Sequence, residues 1–454
     1  MILRSGHDED CLFMNIWTPS NATAASKLPV WLFIQGGGYV SLSNPNWDGA
    51  EVVKNSGYNM VFVEFNYRVG LWGFLASEKV RDDGDLNVGL LDQRAAMKWV
   101  QKYISHFGGD PDHVVIHGAS AGAGSVALHL TAYGGRNDSL FAGGMAESVF
   151  FPQQPYLADL EWQFDRVAEV VGCSNETDQM SCLRGKDTAT LQAANAASGF
   201  PGRVESASPL FYWTPCIDGD LIEDIPYSMF ERGDFIKVPI LFGNDNDEGS
   251  IFAANAATKY AMVNFLQNNY PLLRSNDTAA ILSNYPQMEA LPGHSAWYPS
   301  AALAYGEATF ICPTVNILDA YAAHWDTDDT PPLWSYRFNA ADQMYVQQGL
   351  GVPHLSDAAA VFGPDNIGGN APPGYYTYNA DIVPVMQAYW LSFIQTLDPN
   401  PKRNATAPVW EAWGTNRSRI LFETGNTRME DTPAAQVQRC EFWEGLKDVM
   451  LQKR

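Results

Sequence analysis

Cationic side chains are scarce: 28 Lys and Arg stand against 51 Asp and Glu, a formal charge of −23. Such a field repels phosphate backbones and anionic lipid, so nucleic acid is not expected as a partner. Long apolar runs are missing too. VWLFI and MVFVEF are strand-length, far short of the roughly 20 residues a spanning helix needs, and no membrane span is expected. The opening MILRSGHDED turns polar after three residues and carries no apolar h-region of a secretory leader. No segment recurs at a fixed period, which excludes a solenoid.

What is present describes a globular chain: 46% hydrophobic, 13% aromatic and only 17% charged. That is unlike a disordered composition. The 454 residues are expected to form a single α/β domain over 1–454, with helical insertions over about 150–330. Six cysteines accompany N-x-S/T sequons at Asn21, Asn137, Asn175, Asn276, Asn404 and Asn416, together pointing to an oxidising, secreted setting.

Short apolar runs alternate with helical periodicity. Strands are predicted over 30–34, 60–66, 114–117 and 236–242, and helices over 90–105 and 121–132. This βαβ grammar implies a mostly parallel sheet flanked by helices. LWSYRF and RILFET read as further strands, MQAYWLSFIQTL and VQRCEFWEGLKDVM as helices, residues 161–291 as mainly helical decoration, and 363–378 as a long loop.

One strand, HVVIH, ends in GASAG, which sets Ser120 between small neighbours just ahead of a helix. A strained strand-to-helix turn tolerates only such neighbours, and the helix aims its first N–H groups at the same point. Ser120 is therefore the candidate nucleophile. A neutral serine needs a histidine to take its proton and a carboxylate to orient that histidine.

The chain order Ser, acid, His leaves His294, His324 and His354 as candidate bases. His354 lies in the Gly/Pro loop GLGVPHLSD, whereas His324 sits in a helical pattern and reads as structural. In VPILFGNDNDEGS a strand runs into a turn bearing Asp245, Asp247 and Glu248, among which spacing does not choose. The glycines of FIQGGGY supply N–H donors for a developing oxyanion, with Ala121 completing the set.

With these residues in place, the sequence resembles the type-B carboxylesterase/lipase family, which includes the cholinesterases, and within it the secreted fungal carboxylesterases. The likeness runs nearly end to end through EDCLFMNIWTP, PVWLFIQGGGY, NYRVGLWGFL, NVGLLDQRAAMKWVQKYISHFGGDPDHVVIHGASAG, NDNDEGS, GVPHLSDAAAVFG and RCEFW. The resemblance implies an α/β-hydrolase fold and a serine carboxylesterase acting through an acyl-enzyme. It implies Ser120 as nucleophile, Glu248 as acid, His354 as base, and Gly37, Gly38 and Ala121 as oxyanion donors. Phe211 and Trp213 are expected at the acyl pocket. It also implies a structural Arg68–Asp92 salt bridge and disulfides Cys173–Cys182 and Cys312–Cys440, with Cys216 free. No cofactor or metal is called for, and the partner is a small ester.

Three departures stand out. Cys11 normally bonds a cysteine further upstream, and the family's opening segment is expected to be missing here. Gln35 replaces an aromatic-type residue before the glycine loop. Ala119 replaces the glutamate that many members place beside the nucleophile and that would help hold a cationic choline, so a neutral ester is expected. Two alternatives stand beside the esterase: a catalytically silent adhesion or binding member, and a lipase acting on longer-chain acylglycerols.

Overall fold

In the computed structural model, which describes residues 8–42, 47–201, 207–325, 330–369 and 371–451, nine strands form one sheet in the order β1-β3-β2-β4-β5-β6-β7-β8-β9. The strands are β1 (Met14–Trp17), β2 (Leu28–Ile34), β3 (Val61–Phe65), β4 (Gly109–Ala119), β5 (Gly143–Glu147), β6 (Ile240–Asp245), β7 (Leu333–Phe338), β8 (Ser418–Phe422) and β9 (Arg428–Asp431). Only the outer pairs, β1 with β3 and β8 with β9, are antiparallel.

Side-chain alternation explains why these runs are strands buried on both faces. Along β2, Val30, Leu32 and Ile34 enter one hydrophobic cluster while Trp31 and Phe33 enter the other, across the sheet. In β4, Val114 and Ile116 divide from Val115 in the same way.

Helix α1 (Val88–Tyr103) buries Leu90, Gln93, Arg94, Met97 and Val100. Ala95 faces solvent, and the buried face of this predicted helix carries polar groups that find partners. Gln93 Nε2 donates to Ser125 Oγ at 3.1 Å, and His129 Nε2 lies 2.8 Å from Gln93 Oε1, which ties α1 to α2 (Ala121–Gly135). Strand β6 begins four residues later than 236–242 implied, after Pro239, whose ring has no N–H to give to a ladder.

Between 161 and 291 the regular elements among the described residues are short helices and β6, separated by longer irregular segments. The run Tyr298–Ala323, made of α3 (Tyr298–Gly306), a π turn and α4 (Cys312–Ala323), is long and apolar enough to cross a membrane by length and composition alone, although Glu307, Asn316 and Asp319 interrupt its apolar sequence. Its most apolar window is 83% buried within the protein, the position of a core helix. Two further helices, α5 (Ile382–Thr396) and α6 (Ala434–Gly445), pack near the C-terminus. Cys312 on α4 is bonded to Cys440 on α6, and Cys173 to Cys182; Cys11 and Cys216 are free thiols among the described residues.

Candidate active site

Ser120 is the hinge between β4 and α2, with φ 58° and ψ −121°, a conformation that L-residues avoid. The strain is held from several sides. The Ser120 N–H donates to Glu147 O at 2.8 Å, and Gly124 N–H donates back to Ser120 O at 2.9 Å. A Cβ on Gly118 would lie 2.1 Å from Gly122 O, and one on Gly122 would lie 2.0 Å from Ile34 O. Both positions therefore require glycine, and the second close approach sets the start of α2 against the end of β2.

The glycine loop leaves β2 at that end. Gly37 and Gly38 both have positive φ, 116° and 62°. Gln35 is buried and faces inward: its Nε2 donates to Phe65 O at 3.0 Å, and its own carbonyl accepts from Tyr67 Oη at 2.8 Å. Ala119 is wholly buried in the sheet, and no carboxylate stands at that position.

The turn after β6 separates the three acids that spacing could not. Glu248 Oε2 lies 2.5 Å from His354 Nδ1, while its Oε1 accepts from Asn244 Nδ2 at 3.1 Å and from the Asp245 N–H at 2.9 Å. Asp247 Oδ2 accepts from the Val352 N–H at 2.8 Å, and Asp245 Oδ2 from the Ser356 N–H at 3.2 Å. One acidic turn thus grips the histidine loop before, at and after residue 354. Asp357, next along, accepts from Tyr336 Oη at 2.6 Å.

With Nδ1 pointed at a carboxylate, Nδ1 carries the hydrogen and Nε2 the lone pair. His354 Nε2 is buried and has no hydrogen-bond partner among the described residues, Ser120 included. Catalytic hydrogen bonds of ligand-free enzymes commonly close only in the substrate complex. The imidazole is clamped by rings, Phe310 at 4.5 Å and Phe252 at 5.2 Å between centroids. The same aromatic wall continues from Phe252 to Phe211 at 5.8 Å and from Phe211 to Phe150 at 4.6 Å. Phe211 lies against Gly38, so the wall runs from the histidine to the glycine loop.

Sequence reasoning named Phe211 but missed Phe150, Phe252 and Phe310, which carry no motif beyond their nearness to Ser148, Glu248 and Cys312 in the chain. Trp213 lies in the core beside Tyr212, 4.8 Å between centroids, and is 2% exposed. The other two histidines hold backbone. His294 Nε2 contacts Gln348 O at 2.8 Å, and His324 Nε2 contacts Glu231 O at 2.9 Å. Arg68 pairs with Asp92 through two contacts of 2.8 Å, the expected salt bridge.

Beneath Ser120 lies a group that no sequence signal suggested. His117 Nε2 is 3.1 Å from Glu147 Oε1, and both residues are fully buried. Trp31 Nε1 donates to His117 Nδ1 at 3.0 Å, and Trp390 Nε1 donates to Glu147 Oε1 at 3.2 Å. Burial lowers the His117 pKa to about 3 and raises that of Glu147 to about 8. Both are neutral at pH 6. Burial likewise holds the Asp245 and Asp357 carboxyls well above their ordinary range.

A mostly parallel sheet with a serine at a strained strand-to-helix turn, and a histidine and carboxylate paired on later loops, defines an α/β-hydrolase. The Carboxylesterase family profile matches residues 2–443, and this chain belongs to that family, whose chemistry is hydrolysis of carboxylic esters. It is 34% identical over 438 residues to Secreted lipase 1 of Botryotinia fuckeliana, covering 91% of this chain and 71% of that protein. Against Secreted lipase 4 of Gibberella zeae it is 30% identical over 455 residues, 96% and 78% of the two chains. The crystal structure of Aspergillus niger EstA superposes with a TM-score of 0.94 at 48% identity, over 98% of this chain and 85% of that one.

Proposed function

We propose that the protein is a secreted serine esterase in which Ser120 is the nucleophile, His354 the general base and Glu248 the orienting acid. The observation that carries the reading is the 2.5 Å contact of His354 Nδ1 with Glu248, which leaves Nε2 free to take a proton. Ser120 Oγ attacks the ester carbon as its proton passes to His354 Nε2. The oxyanion is received by the N–H groups of Gly37, Gly38 and Ala121, each worth roughly 3 kcal/mol to the transition state. The tetrahedral intermediate collapses, the imidazolium protonates the departing alkoxide, and water repeats the sequence to release the acid.

Phe211 lines the acyl side, supported by its place over Gly38. Trp213, two positions along and buried against Tyr212, is assigned to the same pocket. The whole chain acts as one domain, supported by helices from the middle of the sequence that return to the sheet. Ala119 supports a neutral alcohol portion. Secretion is supported by the names of the relatives and by the two disulfides.

The test is pre-steady-state release of p-nitrophenol from p-nitrophenyl acetate. Wild type gives a burst, and Ser120→Ala loses about 10⁴-fold or more in turnover. Glu248→Gln is expected to lose about 10³- to 10⁴-fold, because the amide no longer fixes the imidazole tautomer, whereas Asp247→Asn loses far less. Unchanged turnover in Ser120→Ala sinks the assignment. A profile from acetate to palmitate separates an esterase from a lipase of long acyl chains, and absence of turnover on every ester in a folded sample favours the silent binding member.

A further inference from the structure

Strand β5 has little in its own sequence to fix its place. GGMAE offers two glycines and no β-branched side chain, and the register of a glycine-rich strand is weakly specified. That register nonetheless decides how the nucleophile is supported. Ala119 on β4 is the partner of Glu147, and the next N–H along, that of Ser120, donates to Glu147 O at 2.8 Å. The bond holds a residue whose φ of 58° and ψ of −121° persist only where the surroundings fix them. On its other side Glu147 is followed by Ser148, at φ 65°, whose N–H donates to Gly243 O at 2.8 Å. Gly243 lies on β6, the strand that leads to Glu248. One residue thus stands between the strand of the nucleophile and the strand of the acid.

The side chain of Glu147 supplies what the rest of β5 lacks. Two positions after Met145, it falls on the face of the sheet that buries Trp31, Phe33, Ala119 and Met145. There its Oε1 lies 3.1 Å from His117 Nε2 and accepts from Trp390 Nε1 at 3.2 Å. Trp31 Nε1 donates to His117 Nδ1 at 3.0 Å, which leaves the imidazole hydrogen on Nε2, the nitrogen that faces the carboxyl. Phe33 and Phe362 pack on the same imidazole, 5.4 Å and 5.9 Å between centroids. Trp31, His117, Glu147 and Trp390 are all fully buried and form one polar chain from β2 through β4 and β5 to α5. Of these strands β2 runs into the glycine loop and β4 into Ser120.

Polar groups buried in an apolar layer cost solvation that apolar side chains of the same size do not. What they supply here is register. A slip of one residue along β5 turns Glu147 to the opposite face and leaves the N–H groups of His117 and Trp390 without an acceptor. A slip of two keeps the face but brings Met145 or Val149 into the place of Glu147, and neither side chain accepts a hydrogen bond. Only the observed register satisfies the chain, and that register sets the Glu147 carbonyl opposite the Ser120 N–H.

We propose that Glu147 and His117 are positioning residues for the nucleophile: their contact fixes β5 in register against β4, so that the Glu147 carbonyl holds the Ser120 N–H and keeps the strained turn aimed. Neither side chain touches the ester. The effect on rate rests on Ser120 being the nucleophile, whereas the effect on the backbone does not.

The experiment compares the full chain with Glu147→Met, which keeps the bulk and removes the acceptor, with Glu147→Gln, which restores an acceptor, and with His117→Phe, which keeps the ring. The readouts, taken below the thermal melt of every variant, are the p-nitrophenyl acetate burst and hydrogen exchange at the Ser120 amide. In Glu147→Met the burst rate constant is expected to fall about 10- to 100-fold, the scale set by displacing a reacting group by about 1 Å, while the burst amplitude is unchanged. A merely structural contribution lowers the amplitude or the melting temperature and leaves the rate constant alone. Exchange at Ser120 is expected to rise about tenfold, as the weakening of one hydrogen bond implies. Glu147→Gln recovers most of both effects, and His117→Phe moves both in the direction of Glu147→Met. Unchanged exchange at Ser120 or an unchanged burst rate in folded Glu147→Met overturns the proposal, and His117→Phe decides by the same readouts if Glu147→Met does not fold. A burst that survives in Ser120→Ala refutes the nucleophile instead, and exchange at the Ser120 amide then judges the register without any turnover.

Discussion

Residues in one short turn differ in role because each faces a different part of the same loop. Asp245, Asp247 and Glu248 are all acidic and lie within four positions, yet only Glu248 reaches an imidazole, while its neighbours hold backbone N–H groups on either side of it. The pair under Ser120 shows a second contrast and leads to a pH prediction. His117, lowered to about 3, binds its proton more weakly folded than unfolded, so between about 3 and 6.5 stability rises with pH. Glu147, raised to about 8, binds its proton more tightly folded than unfolded, so between about 4.5 and 8 stability falls with pH. Within this pair the two slopes oppose one another from about 4.5 to 6.5, and beyond 6.5 only Glu147 of the two contributes. Asp245 and Asp357, also raised, deepen that fall. Urea midpoints measured from pH 4 to 8.5 are expected to fall less steeply above pH 6.5 in Glu147→Gln than in wild type, and an unchanged slope refutes the neutral pair.

Elements are held together by cross-links of unequal reach. Cys312–Cys440 closes 128 residues and ties α4 to α6, whereas Cys173–Cys182 closes nine. Loop-closure entropy assigns about 5 kcal/mol to the first and about 2.5 kcal/mol to the second. Replacing Cys312 and Cys440 together by alanine is expected to lower the unfolding free energy by roughly twice as much as replacing Cys173 and Cys182, as read from denaturant curves. At this scale the sequence was legible where periodicity was strong: β2, β3, β4, α1 and α2 stand within a few residues of expectation. It was illegible in β5, where GGMAE has two glycines and no β-branched residue. That strand exists because β4 and β6 pair with it on both sides and because its own carbonyl at Glu147 receives Ser120 N–H. Strands β1 and β9 are four residues each and edge the sheet, so they too left no pattern.

For the whole molecule, five of the six sequons, at Asn21, Asn137, Asn175, Asn276 and Asn416, are exposed, while Asn404 is half-buried and accepts hydrogen bonds from Thr406. Secretion from a eukaryotic host is therefore expected to yield a glycoprotein carrying sugar at those five and little at Asn404. Mass spectrometry of peptides after glycosidase treatment reads the occupancy directly, and bare asparagines throughout refute both the glycans and the secretory route. Sequence alone determined the chemistry on offer: a hydroxyl between glycines, a histidine in a Gly/Pro loop, a turn crowded with acids, and alternation that makes a buried sheet. These are local matters of sterics and periodicity. Spacing left the acid open and the family resemblance pointed to Glu248, but only tertiary structure decided which phenylalanines wall the histidine in, that a membrane-length helix is a core helix, and that a neutral His–Glu pair lies under the nucleophile. Those outcomes rest on contacts between residues tens to hundreds of positions apart, whose distances and burial exist only once the chain has packed.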